Sequence, residues 1–133
     1  MDFNLKTGMK AKMEIIVKEN ETAASYGSGG VDVYATPAMI GLIENTSLNA
    51  VDSFLPERYA TVGVHLDVKH LAATPVGMKV TATAELIEID RKKLVFKVEA
   101  FDEKDKIGEG THSRFIIDKE KFLKMTQEKA SQK

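Results

Sequence analysis

Thr36-Pro37-Ala38-Met39-Ile40-Gly41-Leu42-Ile43-Glu44 opens the one segment of this chain with a sustained helical period. Threonine is a favoured N-cap, and proline suits the first helical position, where its missing N–H would have had no partner. Met39, Ile40, Leu42, Ile43, Ala50, Val51, Phe54 and Leu55 recur at helical spacing, and Pro56 lies just past them. The spacing predicts a helix over 37–55 with apolar residues around most of its circumference near the start. A helix this apolar must be covered, so the rest of the chain has to surround it.

The flanks supply that cover. Upstream, 9–18 is rich in Ile, Val and Met without Gly or Pro and reads as a strand; 19–35, containing ENETAASYGSGG, reads as a mobile loop. Downstream the period changes to two. Val62, Val64, Leu66 and Val68 alternate with Thr61, Gly63, His65 and Asp67, and Val80, Ala82, Ala84 and Leu86 alternate with Thr81, Thr83 and Glu85. Leu94, Phe96, Val98 and Ala100 form a third set and 107–118 a fourth, so 61–118 holds four strands joined by turn-like Thr74-Pro75-Val76-Gly77, Asp90-Arg91-Lys92 and 102–106. A short helix from about Lys119 to Lys129 is an option with thin apolar content, and the end, MTQEKASQK, reads as a flexible, solvated tail. The order implies one α+β domain over 1–133, an antiparallel sheet curled around one long central helix in the hot-dog manner.

Composition narrows the chemistry. The 133 residues include 19 Lys+Arg and 20 Asp+Glu, a net charge of −1, too little field to hold a nucleic-acid backbone. With no cysteine there is no disulfide, thiolate metal site or thiol nucleophile. Histidines and carboxylates show no metal-ligand spacing, so no metal is expected; nor is a membrane partner, since no run approaches the roughly 20 apolar residues of a spanning helix. No signal-peptide core is visible, which makes the cytoplasm the expected compartment.

The candidates are then few. Thr36 is first a helix N-cap, a role compatible with a reactive hydroxyl because N–H groups point outward there. Glu44 sits on a very apolar helix, where a carboxylate is costly unless paired, exposed through a gap or used; the plainer alternative puts it on a narrow wet stripe with Asn45 and Asp52. His70 falls on the parity of Val62, Val64, Leu66 and Val68, whereas His65 has the opposite parity and faces solvent or an interface. His112 follows Gly108-Glu109-Gly110-Thr111, whose glycines suggest a bulge or close backbone approach.

Three segments together carry a resemblance: 34–44 (YATPAMIGLIE), 62–75 (VGVHLDVKHLAATP) and 107–114 (IGEGTHSR). Their spacing resembles the fluoroacetyl-CoA-specific thioesterase family of hot-dog proteins. The resemblance implies a homodimeric acyl-CoA thioesterase without cofactor, coenzyme A being part of the substrate. It implies Thr36, Glu44 and His70 as the catalytic group, with Glu44 as nucleophile or as base for water and meeting His70 across a subunit boundary. It also places Gly63 beside the acyl group. With no global field, the phosphates of coenzyme A would need a local cation such as Lys69, Arg91 or Arg114. The fluoroacetyl-selective lid is aromatic, whereas Tyr26-Gly27-Ser28-Gly29-Gly30-Val31-Asp32-Val33 stands here, which implies a small or short-chain acyl group other than fluoroacetyl. A non-catalytic acyl-CoA-binding protein, and behind it a hot-dog dehydratase, are the alternatives.

Overall fold

The computed structural model describes residues 3–131. Strand β1 (Lys10–Ile16) is followed by a short helix α1 (Ala23–Tyr26), the long helix α2 (Thr36–Val51), strands β2 (Tyr59–His70), β3 (Lys79–Asp90), β4 (Lys93–Phe101) and β5 (Lys106–Asp118), and helix α3 (Lys119–Ser131). The strands form one antiparallel sheet in the order β1-β3-β4-β5-β2, with α2 laid across its inner face. This is the expected α+β arrangement.

Helix α2 buries Met39, Leu42, Ile43, Thr46, Ser47, Ala50 and Val51, a single stripe at three- and four-residue spacing, and leaves Gly41, Asn45 and Asn49 exposed. The helix is therefore amphipathic rather than apolar all round. The buried hydroxyls of Thr46 and Ser47 donate to the carbonyls of Leu42 and Ile43, four residues back, which satisfies them inside the core. The α-helix ends at Val51, and a 3-10 turn over Asp52–Phe54 completes the stretch predicted as helical.

The stripe packs on alternating residues of the sheet: Val80, Ala82, Ala84 and Leu86 of β3, and Leu94, Phe96, Val98 and Ala100 of β4. Small residues under the helix let it come close. At Gly108 a Cβ would lie 2.8 Å from Met39 Sδ.

Three expectations change. The helix N-cap is Ala35, and no side chain caps it; Thr36 is already helical, so its hydroxyl is free for another partner. The segment 19–35 is anchored rather than mobile in form: it contains a 3-10 turn and α1, bridges through Thr22 to Tyr34 and through Val33 to Pro75, and buries Thr22, Ala23, Tyr34 and Ala35. The expected tail is helical as far as Ser131, although α3 is solvated, with Phe122, Leu123 and Met125 all exposed; positions 132 and 133 of that tail lie outside the described residues.

The fourth difference decides the site. The pairing of β2 with β5 shifts between Gly63 and His65, so Val64 is an extra residue in a β-bulge. A bulge reverses the parity of all that follows. Thr61 and Gly63 before it share the inner face with Val68 and His70 after it, whereas Val64 is 56% exposed.

Candidate active site

Two pairs of candidate residues come together on the inner face. In the first, Thr36 Oγ1 lies 2.6 Å from His70 Nδ1, joining the start of α2 to the end of β2. The threonine is exposed and the histidine half-buried, beside a cleft of about 370 Å3 lined also by Tyr34, Leu71, Ala73 and Ser28. The Nε2 of His70 is buried without a hydrogen-bond partner among the described residues. Either tautomer thus leaves Nε2 as the unspent position of the ring. Burial pushes this imidazole below its ordinary pKa, partly offset by the backbone of Ala72, so it is neutral at pH 7 and able to accept a proton.

In the second pair, Glu44 lies over Gly63. The carboxylate is on the flank of α2 shared with Ile40 and Leu48, at the border between the buried stripe and the exposed one, and is half-buried. A Cβ at Gly63 would be 2.8 Å from Glu44 Oε2, 3.1 Å from His112 Cε1 and 3.5 Å from an Arg114 terminal nitrogen. Only glycine leaves room for that convergence. Among the described residues the Glu44 carboxylate has neither hydrogen bond nor ion pair. Asp52, read as its neighbour on a wet stripe, instead accepts from the hydroxyl and N–H of Thr61.

Glu44 lies eight residues beyond Thr36, about 12 Å along the helix axis at 1.5 Å per residue. Among the described residues no hydrogen bond joins the Glu44–Gly63 pair to the Thr36–His70 pair.

Residues beyond the catalytic candidates surround Glu44. His112 is fully buried; its Nδ1 lies 2.8 Å from the His65 carbonyl and its Nε2 3.2 Å from Arg114. Since arginine can only donate, Nε2 accepts and Nδ1 carries the hydrogen, which fixes a neutral tautomer. Burial is the main cause of its lowered pKa, with the Arg114 charge adding to it. Arg114, expected among the cations for coenzyme A, is only 5% exposed, with Nε and one terminal nitrogen each 2.8 Å from Thr61 oxygens. Lys69 is exposed on the outer face of β2, opposite Glu109 of β5. Arg91 is exposed at the β3–β4 turn, in a left-handed conformation with φ of 58°. The sequence sets Thr61 opposite the apolar parity of Val62 and Asp52 on a wet stripe; ahead of the bulge the faces of β2 are the reverse, so Thr61 turns inward to Asp52 and Arg114.

The buried His112 and the half-buried His70 make stability depend on pH. Their folded pKa values lie below 6.5, so as pH falls past that point the unfolded chain binds protons that the folded chain refuses. The stability associated with neutral His70 and His112 is present above about pH 6.5 and lost progressively below it. Melting temperature is expected to fall from about pH 7 to about pH 5, before the carboxylates titrate. A flat profile over that interval would contradict the buried neutral pair.

Residues 17–120 match the fluoroacetyl-CoA-specific thioesterase family. The chain belongs to that family. The fluoroacetyl-CoA thioesterase of Streptantibioticus cattleyicolor is 40% identical over 98 residues, covering 74% of this chain and 70% of that protein. Within the thioesterase family, a threonine-to-serine variant of the fluoroacetyl-CoA enzyme FlK, solved in complex with acetyl-CoA, superposes with a TM-score of 0.89 at 32% identity, covering 94% of this chain and 98% of that one. A hot-dog-like protein from Thermanaerovibrio acidaminovorans shares the fold, with a TM-score of 0.88 at 24% identity over 97% of each chain. Among the described residues no helix is long and apolar enough to cross a membrane, and no three potential ligands gather as a metal site.

Proposed function

We propose that this member of the thioesterase family hydrolyses a small or short-chain acyl-CoA, using Thr36, Glu44 and His70. The observation that carries the reading is the unpaired, half-buried Glu44 carboxylate held over Gly63. Membership of the family supplies the thioester, and the acetyl-CoA bound to the FlK variant supports a small acyl group. The segment Tyr26 to Val33 brings Ser28, a small side chain, to the cleft at Thr36 and His70, where Tyr34 is the aromatic residue of the lining.

Hydrolysis consumes one water per thioester and yields a carboxylic acid and free coenzyme A. Glu44 either adds to the thioester carbon, expelling the thiolate and forming an anhydride that water opens, or takes a proton from water as it adds. Both routes regenerate the carboxylate. His70, neutral and with Nε2 unspent, carries the proton between water and the departing sulfur, and Thr36 holds the ring through Nδ1. Of the N–H groups at the start of α2, Met39 spends its own on the Ala35 carbonyl and Pro37 has none, so those of Thr36 and Ala38 are the ones suited to a developing oxyanion. No cofactor is needed for this chemistry.

A homodimer completes the arrangement. Strand β2 is an edge of the sheet, 12 residues long, and exposes Val64 and Leu66. Such an edge invites pairing with a second copy about a two-fold axis. Antiparallel pairing of two β2 strands sets the Gly63 end of each near the His70 end of the other, bringing Glu44 to the partner's His70. Exposed Lys69 and Arg91 are the cations we assign to the phosphates of coenzyme A. Coenzyme A thioesters are cytoplasmic metabolites, and we place the enzyme there.

Thiol release from a panel of acyl-CoAs tests the reading, with acetyl-CoA and other short chains expected to turn over fastest. Binding without thiol release from any member would make this a binding protein instead. Because Thr36 does not cap the helix, Thr36→Val is expected to leave stability within about 0.5 kcal/mol while slowing turnover, and Thr36→Ser to retain much of the rate. Equal loss of stability and activity in Thr36→Val would remove the threonine from the mechanism.

A further inference from the structure

Among the described residues Arg114 is the one Lys, Arg, Asp or Glu that is buried. Taking a guanidinium out of water is costly unless charge and hydrogen bonds compensate it. Its hydrogen bonds go to neutral acceptors only: Thr61 Oγ1, the Thr61 carbonyl and His112 Nε2. No carboxylate among the described residues is within ion-pair distance. Burial lowers the pKa of the guanidinium, and the charges of Asp52 and Glu44, acting through space, offset that effect in part.

Those two carboxylates are held very differently. Asp52 is fixed: its oxygens lie 2.6 Å from the Thr61 hydroxyl and 3.3 Å from the Thr61 N–H. The Thr61 oxygen that donates to Asp52 also accepts from Arg114, so Asp52, Thr61 and Arg114 form one braced unit. Glu44, by contrast, faces the guanidinium across the space that a Gly63 side chain would fill, and among the described residues has no hydrogen bond of its own. The charged or titratable groups acting on this cluster are Glu44 and Asp52 from α2 and its 3-10 extension, His65 from β2, and His112 and Arg114 from β5. Of these His112 is locked neutral, and Asp52 is already committed to Thr61.

We propose that Arg114 is the positioning residue for Glu44: a buried cation, braced by Thr61 and Asp52 and flanked by neutral His112, whose charge holds the Glu44 carboxylate aimed over Gly63. This rests on the thioester-hydrolysis reading for its catalytic consequence, but the electrostatic coupling can be read without turnover. The arrangement assigns Arg114 to the reacting carboxylate and leaves the phosphates of coenzyme A to exposed cations.

The test uses the full-length protein with acetyl-CoA as probe. Arg114→Gln is expected to lower kcat by about a hundredfold with KM changed less than about threefold. Thr61→Val, which keeps the cation but removes its brace, is expected to lower kcat in the same way by less, and Thr61→Ser to recover most of that loss. Should Arg114→Gln fail to fold, the threonine pair carries the kinetic test. Thermal melts of Glu44→Gln alone and in the Arg114→Gln or Arg114→Lys background give the coupling: removing the Glu44 charge is expected to lower the melting temperature beside arginine or lysine and to raise it beside glutamine.

A rise in KM at unchanged kcat in Arg114→Gln would return Arg114 to substrate binding. An unchanged kcat in both Arg114→Gln and Thr61→Val, or additive melting shifts, would overturn the positioning role. If the wild type releases no thiol, hydrolysis itself fails and the melts alone decide whether Arg114 and Glu44 are coupled.

Discussion

Glu44→Gln is expected to lower kcat for thioester hydrolysis by roughly a hundredfold to ten-thousandfold, with the fold unchanged. Glutamine has the same size and reach, and among the described residues the carboxylate makes no hydrogen bond or ion pair that the amide would have to replace. What disappears is the capacity to add to a carbonyl or to take a proton from water. Circular dichroism like that of wild type and a cooperative melt, lowered only by the lost attraction to Arg114, together with very slow thiol release, are the expected result. Wild-type turnover by this variant would remove Glu44 from the mechanism, and with it the meaning of the open space at Gly63. The glutamine variant is more informative than Glu44→Ala, because a smaller side chain also admits water beside Arg114.

Gly110→Ala is expected to carry the largest cost in stability, about 3 kcal/mol or more. Gly110 has φ of 155°, and a Cβ there would run into the backbone carbonyl of Asp67 and lie 2.8 Å from the Val68 Cα. These are backbone atoms of the neighbouring strand, which cannot swing aside as the end of a long side chain can. The contact pairs β5 with β2 just after the bulge, so the strain acts on the segment carrying Val68 and His70. Chemical denaturation should show the midpoint lowered, or no cooperative folding at all. A midpoint unchanged from wild type would show that β2 and β5 can separate there without loss.

Much of the fold is legible in the sequence because its signals are periodic. The helix announces itself through Thr36-Pro37 and the spacing of Met39, Ile43 and Ala50, and β3 and β4 through plain alternation. The glycines before His112 likewise point to close backbone approach, which Gly110 makes. What stays hidden depends on contacts between distant segments. Thr36 reads as an N-cap because threonine commonly is one; that its hydroxyl turns to His70 follows from where β2 ends. The alternation across 61–68 is accurate as a pattern but misassigns its faces, since nothing in Val62-Gly63-Val64-His65 shows that Val64 is extra. The parity of Val68 still sets His70 on the inner side, because the bulge reverses the faces only for residues before Val64. Arg114 shows the same limit from another direction: a cation in a strand reads as a surface group, and only its hydrogen bonds to Thr61 reveal it as an interior one.

The extra residue at Val64 bears on how this protein could change over time. Point substitutions alter one side chain, but the count of residues between Gly63 and His70 determines whether both address the same side of the sheet. Deleting one residue in that interval would leave Thr36, Glu44, Gly63 and His70 all in the chain and yet turn one half of the set to the opposite side. Length in this short interval is therefore under a tighter restriction than the identity of its outward residues, and a homologue lacking one residue there could keep every reactive group and still have no site.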